Sequence, residues 1–163
     1  MTPDRIEKQI VLHAPVARVW HAISDAREFG AWFGVAFDGP FVAGHRITGR
    51  IAPTTVDPEV ARLQEAHAGK PFDITVDQIK RPRLFSFRWH PYAIEPGVDY
   101  SSEPTTLVTF ELTAVGDGTR LVITESGFDR IPLARRAEAF TANDGGWAHQ
   151  ARLIELYVHG LAS

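Results

Sequence analysis

The 163-residue chain contains no cysteine, which removes disulfides, thiol nucleophiles and cysteine-based metal sites and fits a reducing compartment. It also lacks any apolar run close to the ~20 residues that a membrane span needs. The opening stretch MTPDRIEKQIVLHAP carries Asp4, Arg5, Glu7 and Lys8 where a signal peptide would need an unbroken apolar segment, so a cytoplasmic location is the expectation. Charge of one sign is scarce as well. Seventeen Lys and Arg against twenty Asp and Glu leave a net charge of -3, and no basic stripe emerges that would suit a nucleic acid. The seven histidines form no HxH or HExxH pattern and meet no Asp or Glu at ligand spacing, so no metal is expected. No GxSxG is present, and Ser126-Gly127 makes no nucleophile elbow. No residues for a flavin, iron-sulfur or haem centre can be picked out, so no cofactor is expected either. What the chain has in abundance is aromatic surface: ten Phe, four Trp and three Tyr.

Periodicity organises the rest. Residues 5–13 alternate, with Ile6, Lys8, Ile10 and Leu12 on one side, and predict a first strand. Pro15 opens a short helix through PVARVWHAIS, where Val16, Val19, Trp20 and Ile23 share a face. Asp25 with Glu28 has the form of a capping box for a second short helix, and Gly34 can end it. Strands are predicted at 35–41, 45–51, 71–80, 84–90, 106–114 and 119–127. The last two flank an Asp117-Gly118 turn, a strong hairpin signal. An insert at 52–70 carries a short helix capped by Asp57, with Pro58 next. The loop from Pro91 to Pro104 holds Tyr92, Ile94, Pro96, Gly97 and Tyr100 and reads as folded back on the body. From about Pro132 to Leu161 runs the one long helix, with Phe140, Trp147, Ile154 and Leu161 recurring every seven residues.

This order predicts a single α+β domain over 1–163. A curved antiparallel sheet of about six or seven strands grips the long C-terminal helix, with two short helices after the first strand. A helix held off the sheet by its own large side chains leaves an apolar pocket between them. Candidate wall residues are Trp32, Phe33, Phe85, Phe87, Trp89, Phe140, Trp147 and Ile154. Trp89 and the two phenylalanines before it share one strand face, and Trp147 follows the glycine pair Gly145-Gly146. That pair predicts a bend or close-approach point, where Gly146→Leu would weaken packing. Glu125 continues the Leu121-Ile123 side of its strand. Either it faces inward, as an acid, base or ligand-orienting group, or the strand end is wet and it meets Arg88, Arg120 or solvent. Asp129-Arg130 and Arg135-Arg136 read as a solvated edge whose arginine pair could attract an anionic head group.

The APVARVWHAISDAREFGAWFG opening, the RLFSFRWHP strand, the GTRLVITESGF hairpin half and the GGW-led helix together resemble the SRPBCC superfamily. This is the START-like, helix-grip fold of plant pollen-allergen-type lipid carriers. The combination of VW, a small residue before Trp32-Phe33, RW, GTRL, SGF and GW resembles the branch named for the C-terminal domain of the heat-shock chaperone ATPase activator. The resemblance covers about Arg5 to Leu161. It implies a binding protein for a small hydrophobic or aromatic molecule, held between sheet and helix. The branch name implies an alternative, a co-chaperone-like partner of a heat-shock chaperone. A third reading is an enzyme of the cyclase or hydrolase type using Glu125. A monomer or a homodimer fits each of these.

Overall fold

The computed structural model describes residues 4–91 and 99–161. Its elements run β1 (Arg5–Leu12), α1 (Val16–Ser24), α2 (Ala26–Phe33), β2 (Val35–Phe37), β3 (Arg46–Ile51) and α3 (Pro58–Glu65). They continue with β4 (Pro71–Lys80), β5 (Leu84–Trp89), β6 (Thr106–Val115), β7 (Gly118–Ser126), a 3-10 turn at Phe128–Arg130 and α4 (Leu133–Leu161). The seven strands form one antiparallel sheet in the order β1-β7-β6-β5-β4-β3-β2. Sequential strands therefore neighbour each other, except that β1 crosses to close the far edge beside β7. The expected helix-grip arrangement is present. Tyr92, Ile94, Pro96 and Gly97, four of the five residues read as a folded-back loop, lie outside the described residues.

Local chemistry explains the boundaries. Asp25 accepts hydrogen bonds from the backbone N–H groups of Arg27 (2.9 Å) and Glu28 (3.0 Å), capping α2. The reciprocal half of the expected capping box is missing, because Glu28 is taken by Arg18 at 2.8 Å and by the Tyr157 hydroxyl at 3.0 Å. Gly30 cannot carry a side chain: a Cβ there would sit 2.0 Å from the carbonyl oxygen of Val35, so the α2-to-β2 turn folds back directly over it. The strand expected at 35–41 stops at Phe37, ahead of Gly39-Pro40, and Phe41 turns back into the core. Asp57 caps α3 as expected, through Glu59 and Val60, but Leu63 remains exposed and none of the helix is buried.

The concave face of the sheet is closed by α1, α2 and α4. At ~1.5 Å per residue the 29 residues of α4 reach ~43 Å, enough to cross it. Phe29 on α2 drops into the middle of the domain, within 6.2 Å, ring to ring, of Trp32, Phe33, Phe37, Phe41, Phe85, Phe87 and Phe110. The space between helix and sheet where an apolar pocket is expected is thus mostly occupied by the protein's own rings, because α2 delivers aromatics from the side.

The far end of α4 is pinned to the other two helices. Besides its bond to Glu28, the Tyr157 ring lies 5.5 Å below the Arg18 guanidinium. Burial first, and then the bond to Glu28, pushes the Tyr157 hydroxyl above its ordinary value of 10.0. A raised folded value gives stability that is fully present below pH 10 and is lost as pH climbs through the folded value. Urea midpoints of wild type and Tyr157→Phe should therefore differ at neutral pH and converge above pH 10.

A candidate ligand cleft

Strand alternation assembles the site. On β7 the inner face carries Leu121, Ile123 and Glu125, all buried. Register places Glu125 between Ile6 of β1 and Val108 of β6, and Thr106 opposite Trp89 of β5. One end of the sheet therefore gathers a carboxyl group, a hydroxyl and an indole from three adjacent strands. Above them α4 presents Asn143, Trp147, Gln150 and Ile154, spaced i, i+4, i+7 and i+11 along one helical stripe.

Glu125 is 0 % exposed, yet it meets neither arginine nor solvent. Its Oε2 accepts from the Trp89 indole at 2.7 Å and from the Thr106 hydroxyl. Its Oε1 accepts from the Trp147 indole at 2.8 Å, and the Asn143 amide donates to both oxygens at 2.9 and 3.1 Å. An indole N–H only donates, and Asn143 turns its NH2 group here, so the carboxyl group serves as a pure acceptor. This answers the alternative left open by the sequence. The acid points inward, and its work is to hold two tryptophans and the helix in one arrangement.

Beside this knot lies a cleft of about 90 Å³ lined by Phe33, Trp89, Asn143, Gly146, Trp147 and Gln150. Trp89 and Trp147 sit 5.6 Å apart, centroid to centroid, with planes tilted by 32°. Phe33 completes the aromatic wall at 6.1 Å from Trp89 and 6.2 Å from Trp147. Gln150 donates weakly to the Phe33 carbonyl (3.3 Å), while its buried Oε1 has no partner. The contact with that carbonyl fixes which end of the amide is nitrogen.

The glycine pair needs a different account from the one its sequence suggests. α4 is continuous through Gly145 and Gly146, and a Cβ at either position would meet nothing within 4 Å. No close approach is being accommodated. Gly146 instead leaves open the space that becomes the cleft, even though each glycine in a helix interior costs about 1 kcal/mol relative to alanine.

Of the candidate wall residues, Phe33, Trp89 and Trp147 come together at the cleft, with Glu125 behind the two indoles. The others do not reach it. Trp32 is buried with its indole donating to the Ala22 carbonyl at 2.9 Å. Phe85, Phe87 and Ile154 belong to the core, and Phe140 packs edge-on against Phe128 at 5.1 Å. Sequence reasoning missed Thr106, Gln150 and the role of Asn143, which reads as a helix cap from its neighbours. The available signal was its spacing of four from Trp147. The arginine pair is not a free anion site. Arg135 forks onto Glu103 at 2.6 Å, donates to the Pro91 carbonyl at 2.9 Å and stacks 4.8 Å over Tyr100. Arg136 donates to the carbonyls of Ile131 and Asp129. Among the described residues no cluster of His, Asp or Glu could hold a metal, and no helix is long and apolar enough to cross a membrane.

Comparison with known proteins agrees with the fold. The model of the family described as Activator of Hsp90 ATPase homolog 1-like protein matches residues 13–159. No curated protein matches the chain. Among solved structures, protein MLL2253 from Mesorhizobium loti superposes with a TM-score of 0.68 at 19% identity, covering 95% of this chain and 96% of that one. A protein from Arthrobacter aurescens gives 0.71 at 16% identity, covering 96% and 87%. DynU16, from the dynemicin biosynthetic locus, gives 0.66 at 24% identity over 97% of this chain, which spans only 48% of DynU16. At these identities the likeness is one of fold.

Proposed function

Because the chain belongs to the Activator of Hsp90 ATPase homolog 1-like family and has the SRPBCC helix-grip fold, we propose that it works as a small-molecule binding protein, using the cleft between α4 and β5. The observation that carries this reading is the open space beside Gly146, walled by Phe33, Trp89 and Trp147 in an otherwise ring-filled interior. Typical ligand pockets hold ~300–1,000 Å³, and a water takes ~30 Å³ of liquid volume. A cleft of about 90 Å³ therefore accepts a small planar molecule only in part, or one group of a larger ligand, with the rest in solvent. Catalysis by Glu125 has less support. Both of its oxygens are occupied by donors from the protein, and acid–base work would need one of these donors to let go. A co-chaperone role rests on the family description alone.

The test uses the indole N–H resonances, one for each of the four tryptophans. Millimolar benzyl alcohol or phenol should shift the Trp89 and Trp147 indole signals in a saturable way and leave Trp20 and Trp32 in place. Absence of saturable shifts, or equal shifts at all four, overturns the proposal.

A further inference from the structure

α3 contributes little to the core: none of its residues is buried, and Leu63 is 75 % exposed. The insert that carries it is nonetheless tied to the C-terminal end of α2, the end that holds Phe33. A helix leaves its last carbonyls without intrahelical partners, and residues 52–64 supply several of them here. The Thr55 N–H and the Thr54 hydroxyl each donate to the Ala31 carbonyl at 3.1 Å, and the Ala52 N–H donates to the Gly34 carbonyl at 3.0 Å. Gln64 completes the set. The Thr54 N–H donates to its Oε1 at 2.7 Å, which fixes the orientation of the amide, and its Nε2 donates to the Phe33 carbonyl at 3.1 Å. Gly34 makes room for this reach, since a Cβ there would lie 2.5 Å from Gln64 Nε2.

The Phe33 carbonyl thus accepts from two glutamine amides, Gln64 of α3 and, at 3.3 Å, Gln150 of α4. The ring of the same residue is one wall of the cleft, 6.1 Å from Trp89 and 6.2 Å from Trp147. From this arrangement we infer that Gln64 is a positioning residue for the cleft. Through the Phe33 carbonyl, the 52–70 insert holds the Phe33 ring at its distance from the two indoles and so sets the shape of the cleft from outside. Gln64 is not among the residues that line the space, and it acts only through Phe33. Of the two donors it is the closer, and its amide is anchored at the other end by Thr54. A wall held in place before the ligand arrives does not have to be ordered on binding, which strengthens binding.

This inference rests on the cleft being a binding site, and the experiment separates the two claims. Gln64→Glu is the narrow variant: at neutral pH a carboxylate still accepts from the Thr54 N–H but cannot donate to the Phe33 carbonyl. Gln64→Ala removes both bonds without adding charge, and Leu63→Ala alters an exposed neighbour on the same helix. Each is compared with wild type through the indole N–H resonances and by titration with benzyl alcohol. In the ligand-free protein both Gln64 variants are expected to shift the Trp89 and Trp147 signals, because the Phe33 ring packs against both, while Trp20 stays in place. Benzyl alcohol should bind them about fivefold more weakly, the worth of one ordinary hydrogen bond. Leu63→Ala should match wild type in both readings. Wild-type affinity in the Gln64 variants, or unmoved signals, overturns the inference and leaves the binding site standing. So does an equal loss in Leu63→Ala, which marks a general loosening of α3, or an effect confined to Gln64→Glu, which marks its charge. If benzyl alcohol does not bind wild type, the binding-site reading itself fails, and this inference with it.

Discussion

Glu125→Ala is expected to destabilise the protein by about 3–5 kcal/mol, read as a fall in the guanidinium midpoint. Set against a typical total of ~5–15 kcal/mol, that is a large fraction from one surface-distant residue. The substitution leaves two indole N–H groups, one hydroxyl and one amide without their acceptor in a buried setting. It also opens a cavity where the side chain stood. Glu125→Gln tests the mechanism more narrowly. It keeps the shape but turns an NH2 group toward groups that themselves donate, so it should cost less than alanine and clearly more than a surface change. Pairing Glu125→Leu with Trp147→Phe closes a double-mutant cycle. The two changes should couple favourably, because phenylalanine has no N–H to strand. Strict additivity would mean that Glu125 and Trp147 are merely neighbours.

Substitutions at the glycine pair should act in the opposite direction. With nothing within 4 Å of a Cβ at either position, Gly145→Ala and Gly146→Ala should each stabilise α4 by up to about 1 kcal/mol. Their effects on binding should diverge. Gly145 is exposed and does not line the cleft, so its alanine variant should bind as wild type does. Gly146 lines it, and Gly146→Leu should fill the cleft, abolish binding and keep or raise the melting temperature. A residue whose replacement improves the fold and removes binding is one held for function. This reverses the sign expected from sequence, where a glycine beside a tryptophan suggests tight packing.

The difference shows which physical information a sequence carries. Alternation along 119–127 put Glu125 on the same side of its strand as Leu121 and Ile123 but left open whether that end is buried or wet, whereas the capping residues Asp25 and Asp57 and the Asp117-Gly118 turn marked element ends within a residue or two. The helix-grip order follows from those elements. Periodicity does not report what fills a space between elements. Phe29 lies on a short helix far in sequence from Phe85, Phe87 and Phe110, yet its ring packs on theirs and occupies the centre that the pattern left for a ligand. Nor does it report partners across the interior. Trp89, Thr106, Asn143 and Trp147 converge on one carboxyl group from β5, β6 and α4, and each looks like an ordinary core or cap residue in its own segment. Arg135 reads as solvated because Glu103 is distant along the chain and its pairing is visible only in space.

One comparison bears most directly on the cleft as a ligand site: titration of benzyl alcohol into wild type and Gly146→Leu, followed at the Trp147 indole N–H. Saturable shifts in wild type that vanish in Gly146→Leu, with the helix signal and melting temperature preserved, are the expected result. Equal binding by the two proteins would contradict the assignment of the cleft beside Gly146 as the site.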